Sequence, residues 1–122
     1  MKNKPFFQRL RFALNGIKSA WNTESSFRTQ IFLGVGMLIF MSFLRPAPVW
    51  WALIILTMAG VLAGELINTA LEHIVDRLHP KQHPLIAKAK DCAAGAVLVL
   101  SLASLGIFIL LLWGYFYPQS KG

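Results

Sequence analysis

Three stretches of the chain carry no charge: Thr29 to Leu44, Pro46 to Gly64 and Cys92 to Ser120. Their apolar residues follow one another in blocks, without the one-sided spacing of a helix that lies on a soluble core. A helix that crosses a bilayer needs about 20 mostly apolar residues, with a range of roughly 17–25. The second and third stretches meet that length. The first meets it once Arg28 and Arg45 extend their charged heads outward from its ends. The pattern predicts spans over 25–45, 48–78 and 85–117. Before them, residues 5–21 (PFFQRLRFALNGIKSAW) place Phe6, Leu10, Ala13, Leu14, Ile17 and Trp21 at helical spacing, with Arg11, Asn15 and Lys18 on a different face. That is the spacing of an amphipathic helix lying on the membrane surface.

The punctuation between these elements is specific. Thr23 or Asn22 is placed to cap the first span, with Glu24 in its first turn, where the helix dipole favours a carboxylate. Pro46 and Pro48 stop that span near Arg45, so the first two spans form a tight hairpin. Trp50 and Trp51 are expected in an aromatic belt at the outer interface. The second span continues beyond the bilayer as a polar stretch through Leu78. The loop HPKQHP holds two prolines and cannot be helical throughout. A third helix is expected from near Leu85, and its first apolar turn, Cys92 to Ala96, is all small, which lets another helix approach closely. The fold class is all-α: a single membrane domain of three transmembrane helices plus a surface helix.

Composition agrees. At 122 residues and 56% hydrophobic, the chain is too apolar for an ordinary soluble domain. The N-terminal segment lacks the continuous apolar core and small-residue cleavage site of a signal peptide. Cys92 stands alone, which excludes an internal disulfide. Lys2, Lys4, Arg9, Arg11, Lys18 and Arg28 precede the first span, and Arg77, Lys81, Lys88 and Lys90 lie between the second and third. Only Arg45 and Lys121 fall on the other side. Positive-inside bias therefore puts the N-terminus and the second connection in the cytoplasm and the C-terminus outside. The net charge of +7 suits anionic lipid headgroups, not nucleic acid.

The chain has five acids, and three crowd into VLAGELINTALEHIVDRLHP. On a helix at 100° per residue, Glu65, Asn68, Glu72 and Asp76 fall within an arc of about 80°, on a stripe roughly 16 Å long. Glu65 is the deepest, and a carboxylate at membrane depth is costly enough to signal function. Glu24 and Asp91 reach the same cytoplasmic level from the other two spans, beside Arg28, Lys88 and Lys90. Carboxylates near cations at one surface suit a hard divalent ion and phosphate. Asp76, beside Arg77, also reads as a solvated helix end. His79 and His83 read as loop histidines and His73 as facing headgroups. Gly34-Val-Gly36 lies mid-span with no strand before it and is no nucleotide loop, and a Walker motif is absent.

GELINTALEHIVDRL, followed by AKDCAAGAV and preceded by GIKSAWNTESSFR, resembles the prokaryotic diacylglycerol kinase family over about residues 9–100. That family carries E-x-x-N-[ST]-x-[IL]-E-x-x-x-D on its second span and A-K-D with small residues on its third. The resemblance implies a homotrimer in the inner (cytoplasmic) membrane, with active sites shared between subunits at the cytoplasmic surface. It also implies transfer of the γ-phosphate of MgATP to a lipid hydroxyl. Carried onto this chain, Glu65 accepts the proton of the hydroxyl and Asn68 orients the reacting groups. Glu24 and Glu72 hold Mg²⁺, while Arg9, Phe12, Glu24, Glu72, His83, Lys90 and Asp91 form the ATP site. The lipid substrate meets Arg9, Arg28, Trp51, Glu65 and Ala94.

The departures bear on the substrate. Gln30 stands where the family often has an acid, Phe12 where a tyrosine is common, and DCAAGAV replaces D-x-G-S-A-A-V, a step toward the sister subgroup that phosphorylates undecaprenol. ESSFR leans toward the diacylglycerol branch, which is the substrate expected here. A small proton or cation transporter using Glu65 is the alternative of another class. It would place acids along a path across the bilayer, whereas all five lie at one surface.

Overall fold

The computed structural model describes residues 3–117. Four helices follow one another: α1 (Phe6–Thr23), α2 (Ser25–Leu44), α3 (Pro48–Leu78) and α4 (Pro84–Phe116). The last three are long and apolar enough to cross a membrane. With 31 and 33 residues, α3 and α4 reach about 45–50 Å at 1.5 Å per residue, well beyond a hydrocarbon core of about 30 Å. Large apolar side chains such as Phe43, Leu56 and Val99 stay exposed along these helices, which marks a membrane protein.

Local chemistry sets the helix ends. Pro5 precedes α1, and its carbonyl accepts from the amides of Gln8 and Arg9. Proline opens both α3 and α4 at the first helical position, where its missing N–H costs nothing. His83 caps α4: its Nδ1 accepts from the Leu85 amide at 3.1 Å. Arg45 closes α2 in the left-handed region (φ 52°, ψ 56°), its amide donating to the Met41 carbonyl. A non-glycine residue there costs about 1–2 kcal/mol.

The joint between α1 and α2 differs from expectation. Glu24 does not lie in the first turn of α2; it is the one extended residue between the two helices (φ −111°, ψ 107°). Thr23 does not cap α2 either. Its hydroxyl bonds back to the Ser19 carbonyl at 2.9 Å, with a longer contact of 3.3 Å to the Glu24 carboxylate. Thr23 therefore finishes α1, because a threonine in helical backbone reaches its own preceding turn most easily.

Helices α3 and α4 form the most extensive pairing. Close approach comes from glycines on α3: a β-carbon at Gly60 or Gly64 would stand 3.3 Å from Leu100 of α4. The small turn Cys92–Ala96 does not serve that purpose within the chain, since Cys92, Ala94 and Ala96 are exposed and the position of a Gly95 side chain is open. At the end of the bundle beside the α2–α3 turn, Met41, Ile54 and Leu111 form the buried core. Trp50 and Trp51 are half-buried and pack against that core.

Candidate active site

At the opposite end, beside the α3–α4 loop, the acid stripe of α3 passes from buried to exposed. Glu65 is 6% exposed. Asn68 and Glu72 are half-buried, and Asp76 is exposed. Each end of the stripe meets a different neighbour. Ser26, in the first turns of α2, donates its hydroxyl to Glu65 Oε2 at 3.0 Å. Lys90, on α4, donates to Asp76 Oδ1 at 2.6 Å. Glu72 also stands within Coulombic reach of the Lys90 ammonium. Asp76 thus takes its partner from another helix and not from its sequence neighbour Arg77, which lies 100° round the helix from it.

Asn68 Oδ1 is buried with no hydrogen-bond partner among the described residues. Such an acceptor is costly to leave unmet and marks a position made for a donor. Beside the stripe, Thr69 is buried where Ala13, Gly16, Ile17 and Ala20 of α1 face Leu66, Thr69 and Ala70 across a shallow cavity. Arg28 does not point to this space. Its guanidinium donates to the Trp21 carbonyl at 2.6 Å, one of the last carbonyls of α1, which no helical amide can satisfy.

The loop after α3 closes a cavity of about 590 Å³ lined by Asp76, His79, Lys81, His83, Ile86 and Lys90, among others. The His79 and His83 rings meet edge to face there, with centroids 5.9 Å apart. Four basic side chains, His79, Lys81, His83 and Lys90, around an open cavity beside the stripe can receive an anion. Asp91 and Ala94 lie on exposed positions of α4, and Arg9 and Phe12 on exposed positions of α1. Trp51 is in the distant apolar core. Fourteen residues separate it from Glu65 on α3, about 21 Å.

Of the residues expected to act together, Asp76, His83 and Lys90 are brought to one cavity, and Glu65, Asn68 and Glu72 to one adjoining stripe. Among the described residues no group of three or more His, Cys, Asp or Glu side chains is placed to hold a metal ion. The donor chemistry still fits Mg²⁺. That ion keeps most of its waters, takes one or two protein carboxylates and completes its shell with phosphate oxygens, and Glu72 is a carboxylate one turn along α3 from the unpaired Asn68 acceptor. Ser26 was not singled out from the sequence. Its position two residues after Glu24 gives its height, but no periodicity says which face of α2 turns toward Glu65.

The sequence model of prokaryotic diacylglycerol kinase matches residues 11–112. An undecaprenol kinase of Bacillus subtilis is 37% identical over 108 residues, covering 87% of this chain and 88% of that protein. A diacylglycerol kinase of Helicobacter pylori is 36% identical over 111 residues, covering 91% and 83%. The diacylglycerol kinase of Escherichia coli K12 is 30% identical over 108 residues, covering 86% of each chain. The match takes in every residue of the stripe, the Ser26 contact and the Lys90 pair: this chain belongs to the prokaryotic diacylglycerol kinase family.

Proposed function

We propose that the protein, a lipid kinase by its family, phosphorylates diacylglycerol to phosphatidic acid at the loop end of the bundle. One observation carries the catalytic reading: Glu65 is buried where the uncharged stretch of α3 ends, and it receives a hydrogen bond only from the neutral Ser26 hydroxyl among the described residues. A carboxylate kept from water, without a cation to neutralise it, is suited to take a proton. The lipid hydroxyl gives its proton to Glu65 as its oxygen bonds to the γ-phosphorus of ATP. The bond from that phosphorus to the bridging oxygen breaks, and ADP leaves with the electron pair.

Phosphoryl transfer asks the protein for position and charge compensation more than for covalent chemistry. Ser26 fixes the carboxylate of Glu65, and Asn68 offers its unpaired oxygen to orient a hydroxyl or water. Lys90, held by Asp76, presents an ammonium beside the cavity that receives the nucleotide, with His83 at its rim. Glu24 and Glu72 would hold Mg²⁺, which would supply charge neutralisation for the phosphates. The positive-inside pattern supports a cytoplasmic face for this site in the inner membrane. The exposed apolar faces of α2 to α4 support assembly into a homotrimer, with neighbouring copies completing each site.

Undecaprenol is the second substrate reading, favoured by the 37% identity to the Bacillus subtilis undecaprenol kinase and by the DCAAGAV wording of α4. Purified protein in mixed micelles with radiolabelled ATP and each lipid tests both. Preferential labelling of diacylglycerol is expected, and preferential labelling of undecaprenol would reverse the assignment. Unchanged lipid-dependent ATP turnover in Glu65→Gln would overturn the assignment of Glu65 as the base.

A further inference from the structure

Directly beneath the Ser26–Glu65 pair lies a cleft of about 220 Å³ where α2, α3 and α4 converge. Gln30 lies four residues after Ser26, and Val61 four residues before Glu65. Both therefore line the cleft one turn deeper than that pair, by about 6 Å. Ser101 and Ser104 enter from α4. Met58 forms part of the wall, its terminal methyl lying so close over Gly34 that a β-carbon there would collide with it.

Three polar side chains in an apolar cleft need an account. Two hydroxyls of these spans are satisfied by their own helix: Ser42 donates to the Leu38 carbonyl at 3.0 Å and Thr57 to the Leu53 carbonyl at 3.0 Å. That is the usual arrangement in an apolar helix. Ser101, Ser104 and Gln30 make no side-chain hydrogen bond among the described residues. Their donors remain free at membrane depth, where an unmet polar group is unfavourable.

We propose that this cleft recognises the ester carbonyls of a glycerolipid, with Ser101, Ser104 and Gln30 as hydrogen-bond donors, and so selects that substrate class over a polyprenol. The inference rests on the kinase reading for its biological setting. A lipid whose hydroxyl sits at Glu65 places its next few bonds in the cleft. In a diacylglycerol those bonds carry two ester carbonyls, both acceptors. In a polyprenol they are hydrocarbon, and the three donors stay unpaired. A site built to hydrogen-bond discriminates against a ligand that lacks the partner group, because its own polar groups are stranded.

The test uses the purified full chain in detergent micelles. Bound tritiated 1,2-dioleoylglycerol is displaced by the unlabelled diester, by the corresponding 1,2-dialkyl ether and by undecaprenol, with kinase rates measured in parallel. The wild type is expected to bind the diester about tenfold more tightly than the diether, the sum of two modest hydrogen bonds. S101A/S104A should weaken diester binding by about the same factor and leave diether and undecaprenol unchanged. Gln30→Leu provides a second route to the same loss if the double variant does not fold. Equal binding of diester and diether by the wild type, or a preference that survives these substitutions, overturns the proposal. Retained diester preference without phosphate transfer to any lipid would sink the kinase reading and support the cleft.

Discussion

Helices α2, α3 and α4 close the bundle at one end with Met41, Ile54 and Leu111 and at the other surround Glu65, Asn68 and the Asp76–Lys90 pair. The first end is an apolar core with aromatic rings packed around it. The second buries a carboxylate and an amide oxygen, groups that cost stability wherever they lack full partners. The same helices thus gain cohesion at the turn end and tolerate unfavourable burial at the loop end. Stability and chemistry are separated along the helix axis, and substitutions at the two ends should be separable in their effects.

The largest effect is expected from Glu65→Gln, which keeps the size of the side chain and removes its basicity. Turnover should fall by about 10²–10⁴-fold, with the thermal midpoint in detergent unchanged or raised. A loss of rate matched by unfolding would break the comparison. Ile54→Ala is the converse. A cavity in the fully buried core should destabilise by about 2–5 kcal/mol, read as a lowered midpoint, while KM for ATP stays at its wild-type value. Ser26→Ala should lower kcat by about three- to tenfold, the worth of one modest hydrogen bond, with KM for ATP little changed. Arg45→Gly relieves the left-handed backbone and should stabilise the turn end by about 1 kcal/mol without altering rate. Asp76→Asn is the smallest in stability, because Asp76 is solvent-exposed; no measurable shift in midpoint is expected. A clear shift would show that the pair holds α3 and α4 together.

These predictions also mark what was legible in sequence. The stripe from Glu65 to Asp76 could be read because helical period is local: four residues on one helix fix their own angles. The lengths of the spans, the stop before Pro46 and the break at HPKQHP were legible for the same reason. Contacts between helices were not. Which residue of α2 meets Glu65, and whether Asp76 turns to Arg77 or Lys90, depend on how each helix is rotated about its axis, and packing sets that rotation. The glycines show it well: the small run at Cys92–Ala96 offered room for another helix, yet within the chain the close approach falls at Gly60, which faces Leu100, and Gly64, which faces Leu100 and Val97.

Between Thr23 and Ser25 the chain has a single non-helical residue, Glu24, and Arg28 ties the last carbonyls of α1 to the start of α2 across it. A joint of one residue has almost no slack. Any roll or tilt of α1 is delivered to the Glu24 carboxylate as displacement, without a flexible linker to absorb it. In mechanical terms α1 is a crank and Glu24 its pin, so the bearing surface under α1 sets where that carboxylate sits relative to Glu65.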